Sequence, residues 1–204
     1  MVIPLTSKNL NKTIKWLAQP TSLAWLQQAV ENPLVVLIDH AHCERKAAGV
    51  AIQLMFRYPC EPGLAEALSP LAREELEHFE RVISLIQIKG QSLKLLPAPP
   101  YGAALAKEIR KGEPERMLDS FLVSGLIEAR SHERMSLLAI HSLEEELRQL
   151  YTDLLVSEAR HFCIYWRLAE GRFGRNATVS RLEELAKVES AILQSLHPEP
   201  RMHS

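Results

Sequence analysis

The sequence is poor in cysteine. It contains only Cys43, Cys60 and Cys163, and no C-x-x-C pair. An odd number of cysteines without paired spacing excludes a rubredoxin-type iron site or a zinc knuckle and is typical of a reducing compartment, so we expect a cytoplasmic protein. The sequence begins without a basic segment followed by an apolar run, and no stretch approaches the ~20 uninterrupted apolar residues of a membrane span. We therefore expect neither a signal peptide nor a contact with a membrane.

The sequence also has no excess of basic over acidic residues. The net charge is −1, so any binding of RNA would need a local basic patch. The 204 residues are 47% hydrophobic and 24% charged, which is typical of a globular protein and enough for one domain over residues 1–204. Strand signals are scarce: alternating Val/Ile/Thr runs and Asn-Gly or Asp-Gly turns are missing. The composition and pattern favour an all-α fold.

Helix boundary signals divide the chain into four long helices. The predicted helices run from Asn32-Pro33 to Pro59, from Ser69-Pro70 to about Gly90, from Gly112 and Pro114 to about His141, and from Ser142 to Gly171. Proline is favoured in the first turn of a helix, and Ser142 with Glu145 has the spacing of a capping box.

A proline-rich connector separates the second and third helices. The stretch from Gly90 to Tyr101 contains three prolines and is followed by a short helical segment at residues 103–111. Amphipathic segments at residues 23–30 and 179–196 flank the core. Four long helices with one long crossover indicate a ferritin-like bundle, with its core at about residues 33–171 and additional flanking helices.

The apolar stripe of each long helix is interrupted by acidic residues. The interrupting residues are Glu44 in the first helix, Glu75 and His78 in the second, Glu128 in the third, and Glu158 and His161 in the fourth. A spacing of three residues puts Glu and His on one helical face, about one turn apart. Four carboxylates and two imidazoles are therefore predicted to point at the axis of one bundle.

The pattern occurs twice along the chain. Glu44 precedes Glu75 by 31 residues. Glu128 precedes Glu158 by 30 residues. One Glu-x-x-His motif is a weak signal, because both residues are common on helices. Two copies, each preceded by a lone inward Glu on four helices with one crossover, are the pattern of di-iron carboxylate bundles.

The residue types suit this chemistry. Carboxylates are hard donors that can bridge two cations, and imidazole is a good ligand for iron. Four carboxylates balance the charge of two Fe(II) ions and leave coordination positions open. Without metal, several buried ionised carboxylates would each cost several kcal/mol. We therefore predict a carboxylate-bridged pair of iron ions held by these six residues, and no catalytic residue beyond them is predicted.

Residues beside the predicted ligands allow further interpretations. We expect Glu74, Glu77 and Glu80 to form a solvated face. The alternative for Glu74, which adjoins Glu75, is that it accepts a hydrogen bond from a ligand histidine. We expect His132 to lie next to the ligands without joining them. Small residues accompany the ligands in the first and third helices: Ala47, Ala48, Gly49, Ala51, Ser124, Gly125 and Ala129. They either leave room for O2 and a substrate or allow the helices to pack closely.

Four ligand-bearing segments resemble the bacterial tRNA 2-methylthio-N6-isopentenyladenosine hydroxylases. The segments are LIDHAHCERKAAGVAIQLMFRYP, LAREELEHF, FLVSGLIEARSHERM and SEARHFCIYWRLAEG. The resemblance covers roughly residues 34–171 and, carried over residue by residue, gives the same six ligands. It implies a ferritin-like non-haem di-iron monooxygenase that hydroxylates the isopentenyl group of the modified adenosine at position 37 of tRNA.

The resemblance also implies partners. The substrate would be the anticodon loop of tRNA, and the co-substrate O2. Two electrons would come from an external donor, a reductase alone or with a ferredoxin, since the chain has no flavin, nicotinamide or Fe–S signature. Phosphate contacts require basic residues. The candidates are Arg110, Lys111 and Arg116 around the crossover, and Arg172 and Arg175 after the fourth helix.

Other classes of protein would share parts of this pattern. A ferritin-like or rubrerythrin-like protein that oxidises iron or reduces peroxide would have the same ligands, although the cysteine-pair domain of rubrerythrin is missing. A quinone-ring hydroxylase would need an apolar surface for docking to a membrane. A metal-free helical interaction module would leave the buried carboxylates unexplained.

Overall fold

The computed structural model of the protein describes residues 14–204, which form seven α-helices and no strand. The helices are α1 (Leu23–Glu31), α2 (Pro33–Arg57), α3 (Leu64–Ile88), α4 (Pro100–Ala106), α5 (Glu115–His141), α6 (Glu145–Phe173) and α7 (Arg175–Ile192). The predicted all-α fold is confirmed. Within the described range, no helix is long and apolar enough to cross a membrane.

Four long helices form a ferritin-like bundle. Helix α2 packs along α3, α5 packs along α6, and α3 contacts α6. Residues 58–63 and 142–144 are short connections, which join antiparallel neighbours. The long connection over residues 89–114 contains α4 and links the two pairs, as predicted. Helix α4 packs on α5 and α7, and α1 packs on α5 and α2.

The start of α3 differs from the prediction. The helix begins at Leu64, so Pro70 lies inside it and does not mark its first turn. A proline inside a helix removes one backbone hydrogen bond. Leu64 and Leu68 are almost completely buried. Their packing into the core outweighs the loss at Pro70 and extends the helix towards α2.

The predicted capping box at Ser142 is wrong. Helix α6 begins after Glu144, which makes no side-chain capping bond. Ser142 instead ends α5, and its backbone N–H donates to the carbonyl of Leu138 at 2.9 Å. The connection is only three residues long, so Ser142 is used by the first helix and is too early for the second.

Three other helices have boundaries that are shifted by a few residues. Helix α6 continues beyond Gly171 to Phe173 and is followed by Gly174, whose φ of 80° only glycine adopts readily. Helix α4 lies at Pro100–Ala106 and not at residues 103–111. Helix α7 starts at Arg175, four residues before the predicted 179. None of these shifts moves a predicted ligand out of its helix.

The bundle has two apolar core clusters with a polar layer between them. The first cluster includes Ala51, Leu68, Phe121 and Tyr165. The second includes Leu37, Val82, Met135 and Leu154. Along α2, α3 and α6 the predicted ligands lie between members of the two clusters, and along α5 the ligand lies at the boundary. The apolar packing on both sides thus encloses the charged residues.

A buried ionic network joins α5 to the outer helices. Arg130 donates to both carboxylate oxygens of Glu189 on α7, each at 2.8 Å, and pairs with Glu133. Arg134 donates to the carbonyls of Met202 and Ser204. Residues 201–204 are consequently buried beside α5. This network was not predicted from the sequence, since a buried arginine and an exposed one look alike in a helical pattern.

Candidate metal centre and cavity

The structure brings all six predicted ligands together. Their relative exposure is 5% or less in every case. They form two groups in which one donor atom from each residue lies within 4.8 Å of the others. The first group is Glu44, Glu75, His78 and Glu158, and the second is Glu75, Glu128, Glu158 and His161. Glu75 and Glu158 belong to both groups.

Both histidines turn Nδ1 towards the carboxylates. His78 Nδ1 lies 3.1 Å from Glu44 Oε2. His161 Nδ1 lies 2.6 Å from Glu75 Oε1. The Nε2 atoms point outward, to Ser157 Oγ from His78 and to Glu74 Oε2 from His161, each at 2.9 Å. A carboxylate acceptor at Nε2 keeps the proton there and leaves the Nδ1 lone pair free for a metal.

The hydrogen bond from His161 favours the alternative interpretation of Glu74 over the expected solvated face. Arg160 also donates to Glu74 Oε2, at 3.0 Å, which fixes the carboxylate on the outer side of the bundle. Ser157 provides the corresponding oxygen for His78, and it donates to the carbonyl of Leu154 at 2.8 Å. The two ring orientations are therefore each held by a second residue.

The electrostatics of the cluster favour a cation. Burial raises the pKa of Glu75 well above its ordinary value, and the charges of Glu44 and Glu158 raise it further. Burial also raises the pKa of Glu128, with Glu75 and Glu158 adding to the effect. Bound cations would remove this repulsion and the cost of burying ionised carboxylates.

Several oxygen and nitrogen atoms of the cluster that could bind a metal have no hydrogen-bond partner. Among the described residues, these buried atoms include Glu75 Oε1, Glu158 Oε1 and His161 Nδ1. The first and last of them are close together but are not aligned for a hydrogen bond. Unpaired donors that converge in a buried layer are rare in proteins, and here they are oxygen and imidazole atoms suited to iron. The residues present therefore fit a bound metal.

Two histidines near the cluster, His40 and His132, do not belong to either donor group. His40 Nε2 lies 2.6 Å from Glu44 Oε1 and stacks on Tyr151. His132 packs edge-on against Phe162, and burial lowers its pKa. Neither residue belongs to the two donor groups, which agrees with the interpretation of His132 as a neighbour of the ligands.

A cavity of about 1390 Å³ opens onto the cluster. It lies between α2, α5 and the crossover with α4, and Glu44, Glu75 and Glu128 reach its inner end. Ala47 and Ser124 line it, so these small residues leave room. At position 125, in contrast, the small residue allows close packing. A Cβ atom on Gly125 would meet Trp16 at 2.5 Å and Tyr165 Cβ at 3.2 Å, so Gly125 allows close packing.

The basic and acidic residues of the cavity wall occupy different parts of it. Five cationic residues line it: Lys46, Arg57, Arg110, Lys111 and Arg116. Among the described residues, the acidic ones in the wall are the three ligand glutamates at its inner end. Three of the five predicted RNA contacts thus lie on one cavity. The other two, Arg172 and Arg175, lie outside it and pair with Glu61 at 3.4 Å and Glu170 at 3.0 Å.

Arg110 differs from the other cations of the cavity. It donates twice from its guanidinium to Asp119, at 2.8 Å each, so its charge is balanced. Within residues 14–204, none of the other four forms an ion pair. The sequence did not indicate Lys46 and Arg57 as possible RNA contacts, because charge on a helix does not by itself show which face lines a cavity.

Comparison with known proteins identifies the family. The family model described as tRNA-(MS[2]IO[6]A)-hydroxylase (MiaE) matches residues 8–204. The chain belongs to this family. The resemblance seen in the ligand-bearing segments is thereby confirmed, and it extends beyond residues 34–171.

Two curated relatives have the same name, tRNA 2-(methylsulfanyl)-N(6)-isopentenyladenosine(37) hydroxylase. The protein from Pseudomonas putida is 40% identical, and the match covers 93% of this chain and 92% of that protein. The protein from Salmonella typhimurium is 28% identical, with 96% and 90% covered. The chain therefore matches hydroxylases of the MiaE family over nearly their whole length.

A solved structure is more similar in sequence. It is that of protein 43 with aldehyde deformylating oxygenase activity from Synechococcus, which is 65% identical to this chain. The two superpose with a TM-score of 0.92 over 94% of this chain and 96% of the other. The ferritin-like fold is thus found in a solved relative, whose description names a different reaction.

Proposed function

We propose that this protein hydroxylates the isopentenyl group of 2-methylthio-N6-isopentenyladenosine at position 37 of tRNA. Membership of the MiaE family and two curated hydroxylase relatives support this reaction. The observation that carries the proposal is a cavity with cations in its wall and a buried carboxylate–histidine cluster at its inner end. Such a cavity suits a polyanion that presents one modified base.

We further propose that the cluster holds two iron ions. The ligands would be Glu44, Glu75, His78, Glu128, Glu158 and His161, with Glu75 and Glu158 shared between the ions. When bound, the iron pair supplies the reductive activation of O2 that hydroxylation of an allylic C–H bond requires. Glu74 and Ser157 hold the two ligand imidazoles in orientation through their Nε2 atoms.

The cavity residues bind and position the substrate. Ala47 and Ser124 leave space for the five-carbon tail in front of Glu44 and Glu128. Lys111 and Arg116 would contact phosphates of the anticodon loop, because both line the cavity and neither is paired with an acid among the described residues. The modified base must leave the stack of the loop to enter the cavity, as in other enzymes that modify a base.

The remaining partners follow from the chemistry. O2 is the co-substrate, and an external reductase, alone or with a ferredoxin, delivers the two electrons. The reaction takes place in the cytoplasm, a location that agrees with the three free cysteines.

Aldehyde deformylation is a second candidate. It is favoured by the 65% identity to the Synechococcus protein described by that activity. The exposed cations of the cavity argue against it, because an apolar aldehyde gains nothing from several unpaired charges at the entrance of its binding site.

One experiment separates these reactions. The iron-loaded, reduced protein is supplied with 18O2, an electron donor and tRNA that carries 2-methylthio-N6-isopentenyladenosine, and nucleosides are analysed by mass spectrometry. We expect the hydroxylated nucleoside with one heavy oxygen atom. A parallel reaction with a long-chain aldehyde is analysed for formate.

The outcomes differ for each candidate. Formate release with unmodified tRNA would replace the proposal by aldehyde deformylation. Consumption of O2 with accumulation of ferric mineral and unmodified tRNA would indicate a ferritin-like iron oxidase. A product labelled from water would exclude a monooxygenase.

A further inference from the structure

An aromatic side chain is exposed to solvent at the end of α2. Phe56 is 81% exposed, and it is the one exposed aromatic residue among residues 14–204. Single exposed apolar residues are common on protein surfaces, so exposure alone indicates little. Its position gives it significance, because Phe56 lines the same cavity as the ligand glutamates.

Phe56 lies too far from the cluster to contact the reacting group. It follows Glu44 by twelve residues on one continuous helix, which corresponds to about 18 Å along the axis. An adenine base with a five-carbon tail does not span this distance. A substrate whose tail reaches Glu44 would thus place its base short of Phe56, and the ring would face the next part of the RNA.

Cationic residues line the same cavity as Phe56. Arg57 is the adjacent residue, and both side chains line the cavity wall together with Arg116 of α5. The hydroxyl of Tyr58 donates to Glu113 at 2.9 Å, which links the residue after α2 to the connection that precedes α5. This contact lies close in sequence to both Phe56 and Arg116.

We propose that Phe56 is a stacking platform for an unpaired base that neighbours the modified adenosine. Exposed aromatic rings next to unpaired cations bind single-stranded nucleic acid, since every base has a π-face and every nucleotide a phosphate. Arg57 and Arg116 hold the adjoining phosphates. The inference rests on the proposed function and adds a binding site for a second nucleotide outside the reaction centre.

The test measures binding of an anticodon stem-loop RNA with 2-aminopurine beside the modified adenosine. Stacking on Phe56 quenches this fluorescent base. In Phe56→Ala we expect loss of the quenching and about tenfold weaker binding, and in Phe56→Trp retention of both. The dependence of affinity on salt stays unchanged in Phe56→Ala, because no phosphate contact is lost.

Ile88→Ala is the matched control. Ile88 is 78% exposed at the end of α3 and does not line the cavity, so its loss leaves RNA binding and quenching unchanged. Equal affinity and equal quenching for the wild type and Phe56→Ala would overturn the platform while leaving the hydroxylase proposal intact. A wild-type protein that does not bind the RNA would contradict the proposed function itself.

Discussion

Glu75 and Glu158 lie on different helices but contribute to both donor groups of the cluster. Removing any one proposed ligand therefore weakens the binding of a cation, and without the cation the charges of the remaining carboxylates are not balanced. Acids on the outer faces of the same helices have no such role. Glu77 lies two residues from Glu75 and is exposed, which makes it a matched control.

Glu128→Ala and His161→Ala should lose metal and activity. We expect anaerobic iron titration to reach two equivalents in the wild type and at most one in either variant. Turnover should fall by more than the roughly 10–100-fold that losing an outer partner of a ligand costs. Glu77→Ala should match the wild type in both measurements. Equal losses at Glu77 and Glu128 would contradict the proposed ligand set.

At the scale of elements, one buried carboxylate joins three parts of the chain. Asp119 of α5 is completely buried and accepts hydrogen bonds from Arg110 in the crossover and Arg181 of α7. Burial alone would raise the pKa of Asp119, but these bonds outweigh it and hold the pKa below the ordinary value of 3.8. The carboxylate thereby fixes the crossover that forms one wall of the cavity.

Asp119→Asn should destabilise the protein in a pH-dependent way. Because the folded pKa is depressed, the contribution of Asp119 is present above pH ~4 and is lost as the pH falls through the folded value. We expect a loss of about 2 kcal/mol in the free energy of unfolding at neutral pH. Urea titrations at several pH values measure it, and the difference from the wild type should shrink below pH ~4.

A surface pair is the control for this variant. Asp153 pairs with Arg81 at 2.7 Å, and both side chains are exposed to about the same extent. Asp153→Asn should cost less than about 1 kcal/mol, because exposed ion pairs are screened by solvent. A loss at Asp119 that is equally small, or independent of pH, would contradict its role as a tie between elements.

At the scale of the whole molecule, a net charge of −1 coexists with a local group of cations. The fold collects residues from α2, the crossover and α5 on one cavity, while the acids paired with Arg172 and Arg175 balance charge elsewhere. We therefore propose the cavity mouth as the RNA-binding surface. A single domain over residues 1–204 stays a prediction.

Neutralising Lys46, Lys111 and Arg116 together by glutamine should weaken tRNA binding. Each lost phosphate contact in a single-stranded region removes ~0.7 from the slope of log affinity against log salt, so we expect a decrease of about 2. Binding is measured over a series of salt concentrations. Arg172→Gln with Arg175→Gln is the control and should leave the slope unchanged. The reverse result would move RNA binding to the start of α7.

Three features could be predicted from the amino-acid pattern: the helical class, the crossover and the six residues that meet in the centre of the bundle. Helical periodicity fixes which side of a helix a residue occupies, so two Glu-x-x-His motifs and two lone glutamates were enough to predict their convergence. It did not decide between a solvated surface position for Glu74 and a contact with a ligand histidine, because that contact joins two helices.

Which surface residues form a common site depends on the packing of the helices and could not be predicted from the amino-acid pattern. The start of α3 depends on burial of Leu64 against residues that are distant in the sequence. Ser142 caps the C-terminal end of α5 and does not cap the start of α6. Lys46 and Phe56 became part of a site because residues of α2, α4 and α5 line one cavity. Local pattern specifies the face of one helix, whereas a cavity is formed by contacts between residues far apart in the sequence.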